Sequence, residues 1–269
     1  MKKHFFTGLF AFACLTCTLS LNAQYTDTTG KAISSGDILV KPVIDWNTPP
    51  AKRIFPYKSF ILPATLVAYG VVSLHADMLQ DVNETLHEEI YTEHQPRKTS
   101  TDNYLQFLPA VAVYGLNAAG IHGKNNFRDR TIIYGMSTLI MSGTVYAVKK
   151  ITGEPRPDGS NNLSFPSGHT ATAFAAAEFL RQEYKNVSPW YGIAGYAVAT
   201  ATGYLRMSNN KHWMGDVVAG AGVGIISTKL AYWIYPAVKK ILYKNKDVST
   251  IIMPTYQNGM PGLGMVHHF

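Results

Sequence analysis

The chain has 269 residues, 46% hydrophobic and 15% charged, with a formal net charge of +7. Its length supports one large domain or two small ones, and its mean hydropathy of −0.02 excludes a chain made mostly of membrane spans. The positive charge suits a phosphate or an anionic lipid surface; no basic run interleaved with aromatics appears, so nucleic acid is not expected as a partner.

At the start, Lys2 and Lys3 precede an apolar run from Phe5 to Leu21, and Leu21-Asn22-Ala23 forms a small-residue cleavage site. Residues 1–23 therefore read as a secretory signal peptide, with an uncleaved N-terminal anchor as the alternative. Cys14 and Cys17 both fall inside this segment, so cleavage would leave no disulfide, thiol catalyst or Cys-ligated metal. Residues 24–58 are polar and broken, an extended lead-in punctuated by Asp45-Trp46-Asn47-Thr48-Pro49-Pro50.

Five apolar segments follow that are too long for strands: Phe60–Leu74, Tyr104–Ile121, Thr131–Val148, Trp190–Leu205 and Val217–Tyr235. A shorter one runs from Thr170 to Leu180. Between the first two, Leu79, Val82, Leu86 and Ile90 share one face of an acidic amphipathic helix, Leu79–Glu93, which reads as structural. After Lys246, Ile251-Ile252-Met253 reads as one short strand in a Gly-rich tail. The chain divides into 1–23, 24–58, a helical domain 59–246 and a tail 247–269. The fold class is all-α, a bundle of about six main helices. Short connections make neighbours antiparallel, so the regions near Val148, Ser167, Arg206 and Gly215 should meet at one end.

Three clusters occupy those points. Lys149 is followed by Arg156-Pro157; Pro166-Ser167-Gly168-His169 directly precedes a helix; Arg206, His212 and Asp216 lead into the last helix. Three cations on loops would repel one another unless a multiply charged anion joins them, and Arg offers a planar fork for phosphate oxygens. Ser167 and Gly168 open a helix, where free N–H groups and the dipole favour an anion. His212 and Asp216, four apart, would share a helix face; a carboxylate on one imidazole nitrogen leaves the other free to attack. His169 is then available as a proton donor.

Each cluster has a plainer reading. Lys149 beside Lys150 suits a solvated helix end, Arg156-Pro157 a turn, Ser167 an ordinary N-cap, and His212–Asp216 a structural surface pair. Metal binding by His169, His212 and Asp216 is a further reading, opposed by the neighbouring cations. His75, His87, His94 and His122 sit in predicted loops or on polar faces, and His267 and His268 close the tail as solvated residues.

Together, from Lys149 to Asp216, the three clusters resemble the signature of the type 2 phosphatidic acid phosphatase family, which includes class A acid phosphatases and vanadium haloperoxidases. The resemblance implies a metal-free phosphatase without cofactor, acting on a lipid phosphate or a small organic phosphate. It implies His212 as nucleophile, Asp216 as its orienting partner and His169 as general acid. Lys149, Arg156, Ser167, Gly168 and Arg206 would bind the phosphoryl group. Leu205 stands where the family usually has Ser, which removes one hydrogen bond. Rival readings are a vanadate-dependent haloperoxidase, a lipid diphosphate phosphatase and a non-enzymatic envelope protein.

If every helix spanned after a cleaved leader, the basic loops His122–Arg130, Arg181–Ser188 and Lys239–Lys246 would face outward, against the positive-inside rule. Thr170–Leu180 is also about half the ~20 residues a span needs. Two arrangements remain: a wholly periplasmic bundle, favoured by the low hydropathy, or a membrane bundle with its site facing the periplasm.

Overall fold

The computed structural model describes residues 55–94 and 96–242, with the backbone alone of Thr250–Gln257 and Met260–His267. The expected signal peptide and nearly all of the lead-in lie outside the described residues. The helical domain is as expected, an all-α bundle. A 3-10 turn, Tyr57–Phe60, opens α1 (Ile61–Val72), and α2 (Asp77–His87) continues as a π-helical turn to Glu93. Then come α3 (Thr101–Leu105), α4 (Leu108–Ala118), α5 (Phe127–Thr152), α6 (Gly168–Tyr184), α7 (Pro189–Ser208) and α8 (Met214–Leu242). In the tail, β1 (Thr250–Gln257) pairs antiparallel with β2 (Met260–His267), from Thr250 opposite His267 to Gln257 opposite Met260. Sequence reading expected one strand there and passed over Asn258-Gly259, a pair that favours a two-residue hairpin turn.

Local signals set the helix ends. Asn126 caps α5 by accepting from the Asp129 N–H at 2.8 Å, and Gly153, at φ 59°, ends it in the left-handed region open to glycine. Ser188 and Pro189 start α7.

The core is built around α6, whose alanines Ala171, Ala173, Ala175, Ala176 and Ala177 are buried. Small side chains let α8 approach backbone to backbone. A Cβ on Gly220 would lie 2.6 Å from the Ser167 carbonyl oxygen, and one on Gly224 would run into that of Ala171. On its opposite side α8 meets α1, where a Cβ on Gly222 would lie 2.5 Å from the Pro63 carbonyl oxygen.

Two helices, α5 and α8, are long and apolar enough to cross a membrane. The pair 57–72 and 77–93, bent by 92°, could together form a third span. Much of α5 faces outward, uncovered by the other described residues: Leu139 is 75% and Ile151 82% exposed. Such surfaces are what a lipid environment covers, so the preference for a water-soluble bundle gives way to a membrane protein. Low overall hydropathy misled because the average also counts the polar residues 24–58 and the acidic α2. α6 keeps two acids, Glu178 and Glu183, buried inside the bundle.

Candidate active site

Four helix ends converge as the antiparallel topology requires. Lys149, in the last turn of α5, donates from Nζ to the carbonyl oxygens of Leu163 (2.6 Å) and Ser164 (2.9 Å). It thereby pins the loop that leads to α6. That loop is also held by the Arg156 N–H to Asn161 O (3.0 Å), by Trp213 Nε1 to Pro155 O (3.1 Å), and by an ion pair between Asp158 and Lys211. It ends at Ser167, the N-cap position of α6, whose N–H donates to the backbone carbonyl of Asp216 at 3.0 Å. The starts of α6 and α8 are thus tied by main chain. Ser167 makes no side-chain cap; its Oγ accepts from the Thr170 hydroxyl at 2.9 Å.

His212 is buried, 3% exposed, in the loop before α8, and Asp216 lies in that helix's first turn. The two do not share a helix face, because His212 precedes the first turn of α8; the Asp216 carboxylate turns back to accept the Trp213 N–H at 3.0 Å, capping the helix entry. The spacing still brings them together, with His212 Nδ1 3.4 Å from Asp216 Oδ2. Ser164 was not foreseen. Its Oγ donates to Asp216 Oδ2 at 2.5 Å and stands 3.3 Å from His212 Nδ1. Its signal lay in the run Ser164-Phe165-Pro166-Ser167-Gly168-His169, two residues before the motif proper.

The imidazole of His212 is held well below its ordinary pKa, first by burial and then by the charges of Arg206, Lys149 and Arg156. It is neutral at physiological pH. With Nδ1 donating to Asp216, the lone pair sits on Nε2. His169, half-buried at the start of α6, is pushed down to about 4 by burial and by Arg206, opposed by Asp102. Its Nε2 donates to Asn103 Oδ1 at 2.8 Å.

Arg206 is buried and donates from Nη1 to Asp102 Oδ2 at 2.5 Å. The short α3 therefore brings two neighbours to the site, Asp102 on Arg206 and Asn103 on His169. Sequence reading found no motif there, since the partners lie 104 and 66 positions away and no local periodicity encodes them. The acidic α2, read as structural, touches the same loop. Asn83 Oδ1 accepts the Gly215 N–H at 3.0 Å, and His87, assigned to a polar face, bonds Asn210 Oδ1 through Nε2 at 2.7 Å.

Two guanidinium groups at this end of the bundle remain incomplete. The Nε–H of Arg156 and that of Arg206 are buried without an acceptor among the described residues. An unmade bond to a buried charged donor is costly, and a tetrahedral oxyanion supplies several acceptors. Beside Arg206 opens a cavity of about 270 Å³, reached between Lys98, Asn103 and Lys211. Free N–H groups at the start of α6 would add to the cradle. The residues expected from sequence are gathered at this end of the bundle; Lys149 and the Ser167 N–H have their hydrogen bonds engaged by backbone carbonyls.

Residues 130–240 match the PAP2 superfamily. A lipid A 1-phosphatase of Porphyromonas gingivalis is 35% identical over 210 residues, 77% of this chain and 44% of that protein. The chain thus spans less than half the length of that relative. Among solved structures, LpxE of Aquifex aeolicus is 20% identical, with a TM-score of 0.45 over 56% of this chain and 94% of that one. A transmembrane PAP2-type phosphatidylglycerolphosphate phosphatase of Bacillus subtilis is 23% identical, with a TM-score of 0.43 over 69% and 98%. All three clusters fall within residues 130–240, the stretch that matches the PAP2 superfamily.

Proposed function

We propose that the protein is a membrane-bound phosphatase that removes a monoester phosphate from a lipid of the lipid A kind, through a phosphohistidine on His212. The observation that carries this reading is the pair of buried, unpartnered guanidinium N–H groups of Arg156 and Arg206 beside a buried neutral imidazole. The 35% identical lipid A 1-phosphatase supports the substrate class. So do the exposed apolar side chains Tyr104, Phe107, Leu108 and Val111, which follow Asn103 along α3 and α4.

In this mechanism Arg156, Arg206, Ser167, Gly168 and the α6 N-terminus hold the phosphoryl oxygens, and Lys149 adds its field. The His212 Nε2 lone pair attacks phosphorus while the bond to the lipid oxygen breaks. His169 gives its Nε2 proton to that oxygen. Asp216, fixed by Ser164 and the Trp213 N–H, stabilises the imidazolium that forms. Water then attacks phosphorus, its proton passes to His169, the P–N bond breaks, and phosphate leaves. His169 must be protonated for the first step. The charge of a bound phosphate offsets the cations that depress it in the empty site.

The loops at the other end of the bundle carry Lys124 and Lys185, and the last turn of α8 carries Lys239 and Lys240. With the signal peptide read at residues 1–23, the positive-inside rule supports a site facing the periplasm.

The test is phosphate release from lipid A by detergent-purified protein. Activity should persist in EDTA, fall with vanadate and vanish in His212→Ala, and acid-labile phosphate should be trapped on histidine. Activity lost to EDTA and restored by a divalent ion would sink the metal-free mechanism. Unchanged turnover in His212→Ala would sink the nucleophile.

A further inference from the structure

The domain has a large cleft away from His212. It lies between α1, α6, α7 and α8 and encloses about 910 Å³, within the range of ligand cavities. α6 begins at the site with Gly168 and lines this cleft from Phe174 to Lys185. At ~1.5 Å per residue, its charged end lies about 15–25 Å along the helix from the site.

The cleft has two kinds of wall. Leu62, Leu66, Phe174, Ile225 and Trp233 make a long apolar side. The polar end is organised by Glu178, which is fully buried. Its carboxylate accepts Arg181 Nε (2.7 Å) and Nη2 (2.6 Å), Gln182 Nε2 (2.8 Å) and the Tyr196 hydroxyl, with Lys229 Nζ at 3.2 Å. Both oxygens are therefore filled, and they fix two cations on the wall. Lys185 lines the same end, and none of the ion pairs among the described residues includes it. Burial and the charges of Arg181, Lys124 and Lys229 hold its pKa below the usual lysine value. Against Arg181, Lys185 and Lys229 stands one carboxylate, which leaves an excess of positive charge at the mouth of an apolar trough.

A soluble anion would leave the apolar wall wet, and a neutral chain would leave the cations unmatched. A molecule with a hydrocarbon tail and an acidic head satisfies both. We propose that this cleft binds one anionic phospholipid from the leaflet opposite the active site, its acyl chain along α1 and its phosphate against Lys185, Arg181 and Lys229. The proposal rests on the reading that α5 and α8 span a membrane.

Native mass spectrometry of the full chain in detergent should show one retained dioleoylphosphatidylglycerol, at several-fold lower lipid concentration than dioleoylphosphatidylcholine. Lys185→Gln, an exposed substitution, should weaken phosphatidylglycerol retention about fivefold and leave phosphatidylcholine unchanged, as expected for one cation at a lipid phosphate. Leu66→Trp, which fills the trough, should weaken both. Equal retention of the two lipids, no retained lipid, or unaltered retention in Lys185→Gln would overturn the proposal. Alkaline carbonate washing of membranes reads the premise separately. Release of the protein would overturn the spanning reading and the lipid site together, whereas a carbonate-resistant protein without lipid selectivity would lose only the site.

Discussion

Ser164 lies closer to Asp216 than His212 does: its Oγ stands 2.5 Å from Asp216 Oδ2, against 3.4 Å for the imidazole Nδ1. The carboxylate that would orient the nucleophile is thus itself oriented by a hydroxyl from the preceding loop. Ser164→Ala should lower kcat about 10- to 100-fold, the effect of leaving a charged acceptor one bond short. KM and vanadate affinity should stay within about twofold, because Ser164 is not part of the phosphate cradle. A variant that loses vanadate binding as much as turnover would show that Ser164 holds the cradle instead.

Asn103 gives a way to separate the acid from the nucleophile. It accepts from the His169 nitrogen that would protonate the leaving oxygen. Asn103→Ala should therefore slow cleavage of an alkyl phosphate about tenfold, the worth of one positioning hydrogen bond. Cleavage of p-nitrophenyl phosphate, whose leaving group needs little protonation, should change less than about threefold. His169→Ala should show the same contrast, enlarged, with phosphoenzyme accumulating on His212. Equal losses on both esters would reassign His169.

The pH dependence follows from the two depressed imidazoles. His212 must be neutral and is held far below 6.5, so no rising limb from it should appear between about pH 5 and 8. His169 must be protonated, so the rate falls as pH rises through its pKa. In the free enzyme that value is about 4; a bound phosphate removes part of the cationic field and raises it. The falling limb of kcat should consequently lie about one unit or more above that of kcat/KM. Coincident limbs would mean that phosphate does not share a field with His169.

Stability offers a test independent of chemistry. A methyl on Gly224 meets the backbone of α6 at Ala171, which cannot turn aside as a side chain could. Gly224→Ala should cost about 1–3 kcal/mol despite its higher helix propensity, read as a lowered Tm. Gly143, with open space where a Cβ would stand, is the control: Gly143→Ala should raise Tm or leave it unchanged. A Gly224→Ala protein as stable as the parent would mean that the α6–α8 approach is looser than it stands here.

Much of this was written in short stretches of sequence. Apolar runs longer than a strand gave the helices, and the antiparallel topology brought Lys149, Ser167, Arg206 and His212 to one end. What stayed hidden depends on distance along the chain. Asp102 and Asn103 look like an ordinary helix entry until folding sets them on Arg206 and His169. His87 carries no periodic signature that would point to Asn210. The membrane face was hidden for a different reason: the average hydropathy also counts the polar residues 24–58 and the acidic α2, although α5 and α8 are apolar enough to cross a membrane by themselves. Average composition dilutes a few apolar helices in everything around them.

The direct backbone contact of α8 with α6 has a consequence for how such a protein can change. Gly220 and Gly224 set the spacing of the two helices that present Asp216, Ser167 and His169, so that spacing is a property of main chain and not of side-chain size. α1 is held against α8 in the same way at Gly222, whereas α2 and α3 reach the site only through side chains. Those two short helices can be treated as replaceable walls around a chemical frame, and grafting those of a relative with another lipid preference should redirect what reaches His212 while leaving how it reacts untouched, provided the graft keeps Asn83, His87, Asp102 and Asn103.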